Sequence, residues 1–136
     1  MDYKKAFEEI INEGEHLVLA TAIGDQPHVR IMSYIYDSDT KKVYVSTFMK
    51  SAKVEEIAHN NKGAFSIQVG QRAIRVNQAS IIKSERPLSE VADAFIAKDP
   101  EYEATAKIPG IWLYELDFTQ ARVIAGFKKV SDIEIS

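Results

Sequence analysis

Five residues with chemistry to offer lie where a strand-like run gives way to a helical one. They are Ser46, Thr47, Lys50, Ser51 and Lys53, within the stretch VYVSTFMKSAKVEEI. The first turn of a helix carries backbone N–H groups without intrahelical partners and a partial positive charge. Hydroxyls and ammonium groups gathered there suit an anion, phosphate above all. Arg30, on a neighbouring strand, would add a guanidinium able to hold phosphate oxygens in a bidentate fork. The pattern GxxxxGK[ST] does not occur, and no glycine lies between Gly24 and Gly63, which argues against a nucleoside triphosphate loop. The plainer alternative is that Ser51 only caps the helix and the lysines are solvated.

Other chemistries find less support. His16, His28 and His59 show no metal-ligand spacing, so no metal site is expected. The chain has no cysteine and no GxSxG, and its acids are scattered without an evident catalytic pair. Trp112 and Tyr114 share one face of a late strand-like run, WLYEL. Such aromatics cover a flat ring system or fill a seam between subunits.

Elements must position these groups. Apolar residues at Tyr3, Ala6, Phe7, Ile10 and Ile11 have helical spacing, with Asp2 to cap the helix and Gly14 to stop it. Strands are expected at His16–Ile23 and His28–Tyr36 around the turn GDQP, and at Val43–Thr47 after DSDTKK. The second helix is expected over Ser51–Asn60, with Val54, Ile57 and Ala58 as its buried stripe and Glu55 and Glu56 favouring its first turn. GAFSIQVG and RAIRVNQASIIKS read as strands, LSEVADAFIAKD as a third helix, and IPGIWLYELDFTQARVIAGF as two strands around DFTQ. Six or seven strands joined mostly by tight turns, with three helices, imply an α+β fold: an antiparallel closed or split barrel with helices packed on it. Along HVRIMSYIY, alternation separates Val29, Ile31, Ser33 and Ile35 from His28, Arg30, Met32, Tyr34 and Tyr36. The second set reads as a wall against a planar ligand or a partner subunit.

Bulk properties narrow the class. At 136 residues the expectation is one domain, 1–136, able to bury roughly two-thirds of its unfolded surface. A net charge of −3 argues against general nucleic-acid binding. The acidic start MDYKKAFEEI is unlike a signal peptide, and no run approaches the ~18 apolar residues of a membrane span. With no cysteine either, a soluble cytoplasmic protein is expected.

The order of motifs adds a family resemblance. LAT on the first strand, D-x-P-H-V-R entering the second, a strand ending in ST, S-x-K opening a helix and Asn-Asn closing it resemble the pyridoxamine 5′-phosphate oxidase-like flavoprotein superfamily. The likeness is close over roughly residues 15–85 and loose beyond. It implies an FMN-binding split β-barrel, a homodimer with FMN at the subunit interface. It implies that Arg30 contacts the FMN phosphate or ribityl region and that Ile31, Met32 and Ser33 line the isoalloxazine through backbone groups. Ser46, Thr47, Ser51 and Lys53 are then the phosphate ligands, while Trp112 and Tyr114 contribute to a substrate pocket shared with the other subunit. The chain departs from the oxidase in three places. Ala73 stands where a second-subunit glutamine touches FMN, Gln78 where the family often has glycine, and GFKKVSDIEIS replaces an arginine-containing end that helps hold the pyridoxal substrate. The resemblance therefore implies a small flavin-dependent oxidoreductase acting on some other small molecule, needing no side-chain acid or base. Shorter relatives that use a deazaflavin or handle haem imply an alternative: a carrier of flavin or haem, or a dimer that has lost its cofactor.

Overall fold

The computed structural model describes residues 1–48 and 51–135. The first helix, α1 (Tyr3–Glu13), forms as its spacing predicts. The Asp2 carboxylate accepts a hydrogen bond from the Lys5 amide at 3.1 Å, and Ala6, Phe7, Ile10 and Ile11 are buried along one stripe. Full burial of each isoleucine contributes on the order of 2 kcal/mol. Gly14 ends the helix at an ordinary φ of −63°. What it supplies is space, since a Cβ there would meet the Tyr34 hydroxyl and lie 2.6 Å from Ile67 Cγ2.

The strands are β1 (His16–Ile23), β2 (Gln26–Ser33), β3 (Ile35–Asp37) and β4 (Lys42–Phe48), followed by helix α2 (Ala52–His59). Then come β5 (Lys62–Val69), β6 (Arg72–Lys83), α3 (Leu88–Lys98), α4 (Tyr102–Ala106), β7 (Ile111–Asp117), β8 (Gln120–Gly126) and β9 (Lys129–Glu134). All pairs are antiparallel, in the order β2-β1-β5-β6-β7-β4-β3, with β8 on β6 and β9 on β8. β6 is long enough to serve two partners on one edge. Ala73–Arg75 pair with β8, and Ser80–Lys83 pair with β7. That change of partner curls the sheet into an antiparallel split barrel of the α+β class.

Among the described residues there are nine strands and four helices, more than the six or seven and three expected. Three local events account for the excess. The run His28–Tyr36 is broken at Tyr34, where the chain leaves β1 and crosses to β4. Tyr34 is 1% exposed, and its hydroxyl donates to the Ile11 carbonyl at 2.6 Å, which ties the corner to α1. The C-terminal run folds back as β9 through a turn with Lys128 at φ 58°. The segment after α3 forms the short α4.

The break at Tyr34 also corrects the expected face of the second strand. Val29 and Ile31 are the exposed residues, at 69% and 73%. On the opposite face Met32 and Tyr36 are half-buried against the core, and Met32 also borders the pocket described below. In α2 the expected stripe is corrected as well: Ala58 is exposed, Val54 and Ile57 are half-buried, and the buried residue is Glu56.

Two apolar clusters result. The larger fills the barrel between α1 and the sheet, around Phe7, Ile10, Leu17, Ile67, Ile74 and Leu116. The smaller, formed by Ile35, Tyr44, Val91, Phe95, Tyr102 and Leu113, lies under α3 and α4. No helix among the described residues is long and apolar enough to cross a membrane.

Candidate functional site

The end of β2, the end of β4 and the start of α2 meet at one pocket of about 400 Å³. Ile31, Met32 and Ser33 come from β2, Ser46, Thr47 and Phe48 from β4, and Lys53 from α2. Asp99, Glu101, Tyr102 and Thr105 close the other side from the α3–α4 segment, with Ile111 of β7 beside Phe48.

Local bonding shapes this pocket. Ser51 takes the N-cap position of α2 with extended backbone, but its side chain makes no cap bond. Its hydroxyl lies 3.1 Å from Thr47 Oγ1 instead. Among the described residues no side chain accepts from the first-turn amides of α2, of which Val54 N–H donates to the Ser51 carbonyl at 3.1 Å; the amides before it suit an external anion. Ser46 Oγ and the Tyr102 hydroxyl are 2.6 Å apart, and the Tyr102 ring stacks on Phe95 with centroids 4.7 Å apart. Tyr102 thus fixes both the Ser46 hydroxyl and the position of α4. Burial pushes the Tyr102 phenol above its ordinary pKa, so it stays a neutral hydroxyl.

Behind the pocket lies a buried polar network. Glu56, 3% exposed, accepts from the Thr21 hydroxyl and from Arg30 Nη2, both at 2.6 Å, and contacts His28 Nδ1. Arg30 Nη1 also donates to Thr21 Oγ1 at 2.6 Å. The Thr21 bond, with those from His28 and Arg30, outweighs burial and holds the Glu56 carboxyl at about 2, well below the ordinary carboxylate range. The network bolts α2 to β1 and β2, and so fixes where Lys53, one turn earlier on the helix, points.

Six of the residues singled out from the sequence come together here: Ile31, Met32, Ser33, Ser46, Thr47 and Lys53. Ser51 adjoins through Thr47. Arg30 does not line the pocket; its guanidinium is engaged by Glu56 and Thr21. Lys50 lies outside the described residues. Trp112 is half-buried under Lys83, whose Nζ is 4.6 Å from the ring centroid, and lines a separate cleft beside Arg86 and Pro87. Tyr114 is 4% exposed and packs in the barrel core.

Sequence reasoning missed Glu56 and the Asp99–Thr105 wall. A carboxylate between Val54 and Ile57 on a half-apolar helix face is a faint signal of burial. Asp99-Pro100 followed by YEATA is a legible turn and helix start.

Comparison with known proteins agrees with this architecture. Residues 10–129 match the sequence pattern of the family described as pyridoxamine 5'-phosphate oxidase-like. No curated protein sequence matches the chain significantly. Among solved structures, general stress protein 26 from Bacillus anthracis str. Sterne superposes with a TM-score of 0.76 at 20% identity, over 99% of this chain and 100% of that one. A heme binding protein from Mycobacterium smegmatis gives 0.74 at 12% identity, over 95% of this chain and 57% of that one. An FAD-binding protein from Mesorhizobium loti gives 0.67 at 14% identity, over 89% and 92%. At such identities the structural likeness is one of fold, while the sequence match spans most of the chain. This chain belongs to the pyridoxamine 5'-phosphate oxidase-like family.

Proposed function

We propose that the pocket binds FMN and that the chain works as a small flavin-dependent oxidoreductase on a small-molecule substrate, as a homodimer. The observation that carries this reading is the convergence of Ser46, Thr47 and Lys53 with the uncapped first turn of α2, alongside the Ile31–Ser33 strand. The donor set fits the group. The hydroxyls, the ammonium and the helix amides would hold the phosphate. The backbone of Ile31–Ser33, with Phe48 and Ile111, offers a partly apolar wall to a planar ring. When bound, the flavin supplies the redox chemistry, and the protein supplies orientation and electrostatics. Asp99 and Glu101 put negative charge across the pocket from Lys53, so the pocket is polarised along its length.

Exposed apolar residues support the homodimer. Ile31 sits opposite Val18, and Val29 opposite Ala20, so they form one patch on β1 and β2. A monomer seldom leaves such residues open together. Ile31 belongs both to this patch and to the pocket, so a second copy covering the patch would also wall the pocket.

A second reading is a haem or flavin carrier without turnover. The likeness in fold to the heme binding protein from Mycobacterium smegmatis motivates it. The hydroxyls and the ammonium at the head of α2 favour flavin as the occupant, because they suit its phosphate. Absorption of the purified protein separates the readings. Flavin bands, or saturable uptake of added FMN, support the first; a Soret band moves the assignment to haem. A colourless protein indifferent to FMN overturns the flavin reading. Steady NAD(P)H oxidation with an acceptor then distinguishes an enzyme from a carrier.

A further inference from the structure

A second cleft, sharing no lining residue with the pocket, opens where β6 changes partners. The β6–β8 ladder ends at Arg75 opposite Arg122, and the β6–β7 ladder begins only at Ser80. On the other edge of β6 the register with β5 shifts at the same place. Phe65 faces Val76 and Gly63 faces Ala79, so Asn77 and Gln78 together oppose Ala64. Successive strand residues ordinarily point to opposite faces, and a bulge re-aims them. Asn77 and Gln78 are both exposed, and both line a cleft of about 210 Å³ with Arg75, Thr119, Gln120 and Arg122.

The charge in this cleft is unbalanced. Two arginines directly opposite on neighbouring strands repel each other. Asp132, opposite Arg122 on β9, accepts from Arg122 Nε at 2.9 Å and from Nη2 at 3.3 Å. Among the described residues Arg75 has no carboxylate partner and no side-chain hydrogen bond. The cleft therefore holds two guanidinium groups and a single carboxylate, engaged by Arg122, with Ala121, three carboxamides and a hydroxyl as the rest of its lining. A negatively charged acceptor of several hydrogen bonds would balance this lining.

We infer that the β6–β8 cleft is a binding site for a small oxyanion, a phosphoryl or carboxylate group held by the Arg75 guanidinium, supported by Arg122 and by the amides that the bulge turns outward. Guanidinium forks match both oxyanion types. This site is independent of the flavin reading, because it shares no residue with the pocket at β2, β4 and α2.

The test is a backbone amide NMR titration of the full chain with sodium phosphate, sodium succinate and sodium chloride in turn, at constant ionic strength. Saturable shifts at Asn77, Gln78 and Gln120 with phosphate or succinate, and not with chloride, are expected. Whichever of the two acts names the ligand class; both acting means the shared oxyanion chemistry is recognised. Arg75→Gln should weaken this binding about tenfold or more, and Arg75→Lys less, because it keeps the charge and loses the fork. Shifts confined to Ser46–Lys53, shifts that never saturate, or an Arg75→Gln variant that binds as before would overturn the assignment. So would an Arg75→Gln variant of altered mass by sedimentation with no anion response, which would make the arginines a contact between copies.

Discussion

Arg30 Nη2 and Glu56 Oε2 lie 2.6 Å apart in a pair whose carboxylate is 3% exposed, between the strand that lines the pocket and the helix that opens onto it. Removing one partner of a buried pair leaves the other without compensation. Glu56→Ala should therefore cost roughly 3 kcal/mol in urea unfolding, more than a surface acid ever does. A loss below about 0.5 kcal/mol, the surface range, would mean that the network does not hold α2.

The same carboxyl sets an acid limit. Its folded pKa of about 2 is depressed below the ordinary 4.5 by the Thr21 bond and by His28 and Arg30. Its stabilisation is therefore complete above about pH 4.5 and is lost as pH falls toward 2. Thermal melts between pH 5 and pH 2.5 should fall less steeply in Glu56→Gln than in the native chain. Equal slopes would move the acid sensitivity to other carboxylates.

Lys53→Ala should raise the Kd for FMN at least tenfold while leaving the melting temperature of the FMN-free protein within about 2 °C, since its half-buried side chain faces the pocket. Fluorescence titration reads the first and calorimetry the second. Unchanged affinity would remove Lys53 from the phosphate seat.

Tyr102 separates two contributions. Tyr102→Phe keeps the stack on Phe95 and loses only the bond to Ser46, a cost of about 1 kcal/mol. Tyr102→Ala also empties part of the smaller core, a cost of roughly 3 kcal/mol or more. If the two variants lose equal stability in urea, the ring does not anchor α4.

Ile31→Asp places a charge in the exposed apolar patch. Sedimentation should show half the native mass, with a free chain that stays folded because Ile31 is 73% exposed. A monomeric native chain, or an undisturbed dimer in the variant, would shift the subunit contact elsewhere.

How much of this was legible in the sequence follows the range of the interactions involved. α1 was readable in full, because its cap, stripe and stop are all within a few residues of one another. The meeting of Ser46, Thr47 and Lys53 was readable because a strand end and the helix it feeds are joined by a short connection. The break at Tyr34 was not, because alternation continues through it. Only the packing of Tyr34 against Ile11 and Gly14 shows that the chain turns a corner there. α4 was overlooked even though its start is marked by Asp99-Pro100, because it is only five residues long and owes its position to Phe95 and Ser46.

By itself, then, the sequence determined the antiparallel α+β class, the amphipathic first helix and a cluster of hydroxyl and ammonium groups at the head of the second. Each rests on periodicity or on neighbours close along the chain. Only the tertiary structure decided what Arg30 does. Its nearest carboxylate is 26 positions away on a helix, so the choice between an open cation and a buried ion pair depends on how α2 docks on β1 and β2. The same holds for the cleft at Arg75 and Arg122, which are far apart in sequence and come together only through the register of β6 with β8.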